Sequence, residues 1–404
     1  MSVVSRFIYI FSADHHTVKR KSGLFHNRNM TKKTVLVSIV TLIIVSAVII
    51  ATFWPDKSAM KRPQEPKGPY SYVNEEVKFQ NTKANITLAG TLTLPSKGGK
   101  YPAVVLITGS GAQNRDEEVL GHKPFLVIAD HLTKNGIAVL RFDDRGVGQS
   151  SGNFKTATSL DFSTDVESAV AYLQTRKEID KSRIGLIGHS EGGLVAPLVA
   201  SGSDNIRFMV LLAAPAIDLG KLLLKQDELI ARSLGISEPE IQKMKNTNAS
   251  AYSLIAKSTD LKVLRNDLAK LAKKEILEIP PQLLPPKMTK EEFIATQIDN
   301  LSSPWFQYVM KYNPGKTLEK VRCPVLALNG EKDLQVTSKE NLSAITRALK
   351  DGGNSNIITK EFPNLNHFFQ ECETGSPLEY AKIEQTFSPK VLTEISTWIL
   401  AQVR

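Results

Sequence analysis

Short, unbroken apolar runs separated by helical stretches constrain this chain more than any other feature. Tyr101-Pro-Ala-Val-Val-Leu-Ile-Thr is followed by Gly136-Ile-Ala-Val-Leu-Arg-Phe, Arg183-Ile-Gly-Leu-Ile-Gly, Ile206-Arg-Phe-Met-Val-Leu-Leu and Cys323-Pro-Val-Leu-Ala-Leu. Runs of this length without alternation suit strands buried on both faces of a parallel sheet. The intervening patterns predict helices over residues 125–134, 159–176, 193–200, 338–350 and 389–402. Strands alternating with helices imply an α/β fold with helices on both sheet faces. Residues 356–362 add a weaker strand, and residues 86–95 read as a hairpin interrupted at Ala89-Gly90. Residues 218–320 contain no convincing strand. Leu261, Leu264, Leu268 and Leu271 recur there at helical spacing, and Ile279-Pro-Pro-Gln-Leu-Leu-Pro-Pro is a stiff break. This stretch is expected to form a helical cap over the carboxyl edge of the sheet, where ligands of open α/β sheets bind.

Composition narrows the function classes. The chain carries two cysteines, Cys323 and Cys372, which excludes a disulfide-dense scaffold and a four-cysteine zinc site. The net charge is +10, but seven cations against Asp14 within residues 1–33 supply +6 of it, leaving +4 elsewhere. Without a basic cluster on the folded part, nucleic acid is not an expected partner.

Thr34 to Trp54 reads TVLVSIVTLIIVSAVIIATFW without a charge. About 20 residues at ~1.5 Å each cross the roughly 30 Å hydrocarbon core. Lys32 and Lys33 precede it and Trp54 sits at its far edge. The positive-inside rule then puts a basic tail, residues 1–33, in the cytoplasm and the rest outside. The expectation is a single-pass cell-membrane protein. Secretion after signal cleavage is the alternative, disfavoured because signal-peptide apolar regions are shorter and end at small residues. Met30-Thr-Lys-Lys resembles the start of an export segment, so synthesis is expected to begin at Met30, leaving the preceding residues untranslated. Residues 55–71 are charged and Pro-rich, a tether, and the folded domain is expected to span 72–404.

Gly188-His-Ser-Glu-Gly-Gly193 contains G-x-S-x-G directly after a predicted strand and at the opening of a predicted helix. A serine on a sharp strand-to-helix turn exposes its hydroxyl above the sheet, and the helix dipole favours developing negative charge there. Ser190 is the expected nucleophile. It needs a base oriented by an acid. Of seven histidines only His367 lies beyond Ser190, after the last strand, as the chain order Ser, acid, His requires. Asp333, at the rim of the strand and Gly turn of residues 324–333, is the expected acid; Asp218 and Glu331 are the competitors. The oxyanion calls for two backbone donors. These are the amide of Glu191 and one from the loop Thr108-Gly-Ser-Gly-Ala-Gln-Asn-Arg-Asp-Glu117, with Ser110 first and Gly111 second.

These residues resemble the α/β-hydrolase superfamily over about residues 75–404, most closely the branch of serine esterases and serine-aminopeptidase-like hydrolases with G-H-S-E-G-G at the elbow. Asp143-Asp-Arg-Gly-Val-Gly-Gln-Ser150 matches a further turn of that branch, structural and close to the oxyanion loop. Thr108 stands where a histidine is common; the loop is similar to the G-S-G-x-x-x-R-D loops of some esterases there. The resemblance implies an eight-stranded, mostly parallel sheet and no cofactor; no metal is expected. The expected activity is hydrolysis of a small to medium acyl ester through an acyl-serine. A serine-aminopeptidase-like peptidase acting on short peptides and a thioesterase are the alternatives. A peptidase would need an acid for the substrate amine, from Asp227, Glu228, Glu238, Glu240, Glu291 or Glu292. An inactive surface binding protein on the same fold is the non-enzyme alternative. Dinucleotide fingerprints fail, because Asn114 and Ser151 stand where glycine or alanine is needed.

Overall fold

The computed structural model describes residues 61–276 and 288–404. The expected membrane segment at 34–54, the basic tail, the start at Met30 and the proline-rich break at 279–286 lie outside the described residues. Among the described residues no helix is long and apolar enough to cross a membrane.

The chain runs β1 (Val73–Asn81), β2 (Ile86–Leu94), β3 (Tyr101–Ile107), α1 (Pro124–Lys134), β4 (Ala138–Phe142), α2 (Ser159–Thr175), β5 (Ile179–His189), α3 (Gly192–Ala200) and β6 (Phe208–Leu212). Six helices follow without a strand: α4 (Leu219–Ser233), α5 (Glu238–Lys257), α6 (Leu261–Ile276), α7 (Lys290–Leu301), α8 (Pro304–Lys311) and α9 (Pro314–Leu318). The fold closes with β7 (Val325–Gly330), α10 (Ser338–Asp351), β8 (Ile357–Phe362), α11 (Pro377–Tyr380) and α12 (Pro389–Gln402). The eight strands form one sheet in the order β1-β2-β4-β3-β5-β6-β7-β8. β2 pairs antiparallel with β1 and β4, and the remaining pairs are parallel.

Alternate residues of each buried strand feed opposite layers. Ala103, Val105 and Leu186 pack with Val166, Val170 and Leu173 of α2 and Val195 and Val199 of α3. Val104, Leu106 and Ile187 pack with Phe125, Ile128 and Leu132 of α1 and Ile395, Trp398 and Ile399 of α12. The cap has its own apolar cluster, in which Leu264 and Leu268 are buried while Leu261 is half exposed.

Two sequence expectations change. Residues 86–94 form one continuous strand, and the hairpin turn lies at residues 82–85, with Asn85 at φ 52°. Gly90 is a site of close strand approach instead: a Cβ there would sit 2.6 Å from the Arg141 carbonyl on β4. The stretch before β1 is also partly docked and not a free tether from 55 to 71. Arg62 donates to the carbonyls of Leu120 and Ile383, and the Gln64 amide exchanges hydrogen bonds with the backbone of Thr386 and Phe387. Glu65 pairs with Lys123 at 2.5 Å. These partners lie in loops at the carboxyl edge of the sheet, so the described chain reaches the domain at that edge.

His122 belongs to the same junction. It is buried, with Nδ1 3.0 Å from Thr386 Oγ1 and Nε2 3.0 Å from the Tyr380 carbonyl. Burial and then the Arg62 cation push its pKa down to about 4, against the pull of the Tyr380 and Ile383 carbonyls. An unfolded imidazole titrates near 6.5, so between these values the unfolded chain binds more protons and stability falls as pH falls. The unfolding free-energy difference between wild type and His122→Gln, measured in urea, is therefore expected to shrink from pH 7 to pH 4. A difference independent of pH would refute this account.

Candidate active site

The six parallel strands β3 to β8 end at one edge of the sheet, and loops leaving them carry the expected site residues. β5 ends at His189, and Ser190 follows in the left-handed region at φ 52°. Gly188 and Gly192 allow the turn: a Cβ on Gly188 would strike the Gly192 carbonyl, and one on Gly192 would strike the Ile107 carbonyl. The Ser190 amide donates to the Leu212 carbonyl at 2.9 Å, tying the elbow to the end of β6.

The loop after β7 carries Asp333, 3% exposed. One carboxylate oxygen accepts the amides of Gln335 and Val336 at 2.8 and 2.9 Å; the other lies 2.8 Å from His367 Nδ1. A carboxylate on Nδ1 fixes the tautomer that leaves Nε2 as the basic nitrogen. The two competing acids lie elsewhere. Asp218 caps α4 through the Lys221 amide, and Glu331 accepts the Asn364 amide on the surface. Among the described residues the Ser190 hydroxyl has no hydrogen-bond partner; in substrate-free sites such contacts are commonly long and tighten in the complex.

The loop from 108 to 117 is pinned from three sides. Asp144 accepts the Thr108 hydroxyl at 2.8 Å and the Gln113 amide at 2.9 Å. Burial pushes Asp144 well above the usual carboxylate range; these two hydrogen bonds pull it back, and the Glu191 charge adds to the rise. Asp143 accepts the amide and guanidinium of Arg115. Glu117 accepts the Gly109 amide at 2.6 Å. Gly109 is thereby committed, and Ser110 lines the cavity with Ser190 and Glu191. Gly111, at φ 114°, lies outside that lining.

The cavity holds about 50 Å³. Leu194, Leu219, Leu222, Leu223, Trp305, Val309 and Val336 make most of its wall apolar, with Gln226 and Gln335 as amides. Four of these residues come from α4, so the cap forms the roof over Ser190. Trp305 of α8 donates its indole N–H to Glu191 Oε1 at 2.6 Å, and Ser159 donates to the same oxygen.

None of the six cap acids weighed as amine anchors lines this cavity. Glu228 and Glu238 pair with Arg232, and Glu240 and Glu292 close helix-capping boxes. Asp227 turns to α5, accepting Asn248 at 2.7 Å and Tyr252 at 3.2 Å. Sequence reasoning missed Glu117, Asp144, His189 and Trp305, whose partners are remote in the chain and carry no periodic signal. His189 contacts Glu117 and the His367 carbonyl. Cys323 and Cys372 are both free thiols, and burial pushes each up to about 11.

Comparison with known proteins gives four findings. A family model described as serine aminopeptidase, S33, matches residues 123–273. Esterase EstD of Thermotoga maritima is 28% identical over 317 residues, covering 78% of this chain but only 65% of the relative. Thiohydrolase apmlB of Arthrinium phaeospermum is 31% identical over 145 residues, 36% of this chain and 44% of the relative. Among solved structures, Pyrococcus furiosus esterase Pf2001 superposes with a TM-score of 0.48 at 18% identity, covering 82% of this chain and 93% of that one.

Asp227 yields a test of the cap. Burial pushes its carboxyl up to about 6, although Asn248 and Tyr252 pull the other way. Its folded pKa exceeds the unfolded one, so stability is lost as pH rises through 6. Asp227→Asn is expected to raise the melting temperature at pH 8, with the gain gone by pH 4, and to leave ester turnover within about twofold, since the side chain faces away from the cavity. A lower melting temperature at pH 8 would refute the reading.

Proposed function

We propose that the chain is an α/β-hydrolase of the serine esterase-like branch, a carboxylesterase acting through an acyl-Ser190 intermediate. Ser190 Oγ attacks the ester carbonyl carbon while His367 Nε2 takes its proton. The amides of Glu191 and Ser110 receive the oxyanion. Collapse expels the alcohol, protonated by His367. Water, deprotonated by the same nitrogen, then attacks the acyl-enzyme, and its collapse releases the acid and returns the proton to Ser190. Asp333 holds the imidazole tautomer and stabilises its cation.

The observation that carries this reading is the buried Asp333–His367 pair at 2.8 Å, tied through the His367 carbonyl to His189, the neighbour of an elbow serine that lines an apolar cavity. The lining favours an ester over a peptide with a free amine: its one carboxylate, Glu191, already accepts Trp305 and Ser159. The size favours a short acyl group. A cavity of about 150 Å³ accommodates benzene, three times the volume here. A thioester presents the same carbonyl, and the partial likeness to a thiohydrolase makes thioesterase the second reading.

A panel of p-nitrophenyl esters of increasing acyl length, an acyl thioester and amino-acid p-nitroanilides tests this. The acetyl to butyryl esters are expected to turn over fastest and the anilides not measurably. Ser190→Ala is expected to lower kcat at least about 10⁴-fold with the fold intact. Ester turnover retained in that variant would overturn the assignment, and preference for an anilide would replace esterase by peptidase.

The proposal extends to location. An anchor at 34–54 with the domain outside the cell follows from the charge asymmetry around that segment, with secretion after cleavage as the alternative. Six residues, 55–60, separate it from Lys61 and reach at most about 20 Å. Because Arg62 and Gln64 dock at the carboxyl edge, such an anchor holds the site's edge near the bilayer. Protease added to intact cells is expected to digest the domain, and carbonate washing to leave it with membranes. Release of the domain into the medium would assign cleavage, and full protection in intact cells would overturn export.

A further inference from the structure

Glu117 and His189 lie outside the expected catalytic set, yet they join its three loops. Glu117 is 2% exposed and sits at φ 51°, a strained conformation for a residue with a side chain. A single oxygen, Oε1, accepts the Gly109 amide at 2.6 Å and faces His189 Nδ1 at 2.9 Å. Oε2 is buried with no hydrogen-bond partner among the described residues. His189, 4% exposed, places Nε2 3.0 Å from the main-chain carbonyl of His367. The His189 and His367 rings lie 4.9 Å apart between centroids.

The chemistry of the partners sets the protonation. A carbonyl only accepts, so Nε2 carries a hydrogen. Nδ1 faces the Glu117 carboxyl at 2.9 Å, so one proton is held across the Nδ1–Oε1 hydrogen bond. Burial alone would push His189 down; the charge and hydrogen bond of Glu117, with the His367 carbonyl, outweigh it and hold the ring above its ordinary value.

A buried ion pair is a weak source of stability, and apolar replacements often do as well. What such a pair supplies is a fixed arrangement, and here the parts arranged are the oxyanion loop, the residue next to the nucleophile and the residue expected to act as base. We propose that Glu117 and His189 are positioning residues that lock the oxyanion loop and the His367 loop to the elbow through one shared carboxylate oxygen. The proposal rests on the esterase reading. Neither side chain lines the cavity, so their removal disturbs the alignment of reacting groups and not the binding of the acyl chain.

The test is steady-state kinetics of Glu117→Gln and His189→Gln in the full-length chain on p-nitrophenyl butyrate, normalised to sites titrated with a fluorophosphonate. Glu117→Gln keeps the volume and an acceptor for Gly109 but removes the charge that holds His189. Both variants are expected to lose at least about tenfold in kcat per titrated site, with KM within about twofold. The proposal is overturned if kcat per titrated site stays within twofold of wild type, or if the loss lies wholly in the fraction of titratable enzyme, as a purely structural role would give. Should His189→Gln fail to fold, the near-isosteric Glu117→Gln decides alone. A wild-type protein that neither reacts with the probe nor turns over ester would overturn the esterase reading and this proposal with it, an outcome visible without any variant.

Discussion

The backbone at Ser190 is the constraint from which the rest follows. A side-chain-bearing residue at φ 52° costs about 1–2 kcal/mol relative to an ordinary conformation, and the turn persists only because both flanks are fixed. On one side β5 is paired along its length between β3 and β6. On the other α3 buries Val195 and Val199 in the layer beneath. Glycine at 188 and 192 brings helix and strand closer than a Cβ permits, so the hydroxyl emerges at the sheet edge with no freedom to withdraw. A parallel sheet then does the remaining placement. Its strands end together, and the loops after β3, β5, β7 and β8 converge at that edge.

Convergence alone does not fix loops to fractions of an ångström; the buried carboxylates do. Asp143 and Asp144 accept backbone amides of the neighbouring 108–117 loop, while Glu117 and Asp333 accept amides of their own loops. Each charge is compensated in part by oriented N–H groups and not by a cation alone, so it specifies a backbone position while a simple pair would specify only proximity. This explains why the Asp143-Asp-Arg turn and the oxyanion loop form one unit although residues 118–142 separate them in sequence.

What could be read from the sequence was what local burial writes into it. Apolar runs located five of the strands, β3 to β7, because a strand covered on both faces has few polar positions. The helix at 389–402 agrees end to end with its pattern, since Ser388 and Pro389 mark its start unambiguously. The Ser190 elbow and the Asp333–His367 pairing were legible because chain order and loop position restrict the choice. Strand β1 escaped notice because its outward residues are polar and it lies at the sheet's edge. The hairpin was misplaced because Gly90 reads alike whether it turns a chain or admits a neighbouring strand. The pairing of Glu117 with His189 spans 72 positions, and nothing in either neighbourhood announces the other.

The cap and the oxyanion site share a residue, which ties access to chemistry. Glu191 offers its amide next to Ser190, and its side chain is held by Trp305 of the cap and Ser159 of the core. With about 50 Å³ beneath the roof, a long acyl chain enters only if α4 or α8 shifts, and a shift of α8 strains or breaks the Trp305–Glu191 bond. Short acyl groups leave that bond in place. On the proposed esterase reading, the contact that narrows the cavity therefore favours small substrates twice: it excludes large ones by volume, and it keeps Glu191 in register for those that fit.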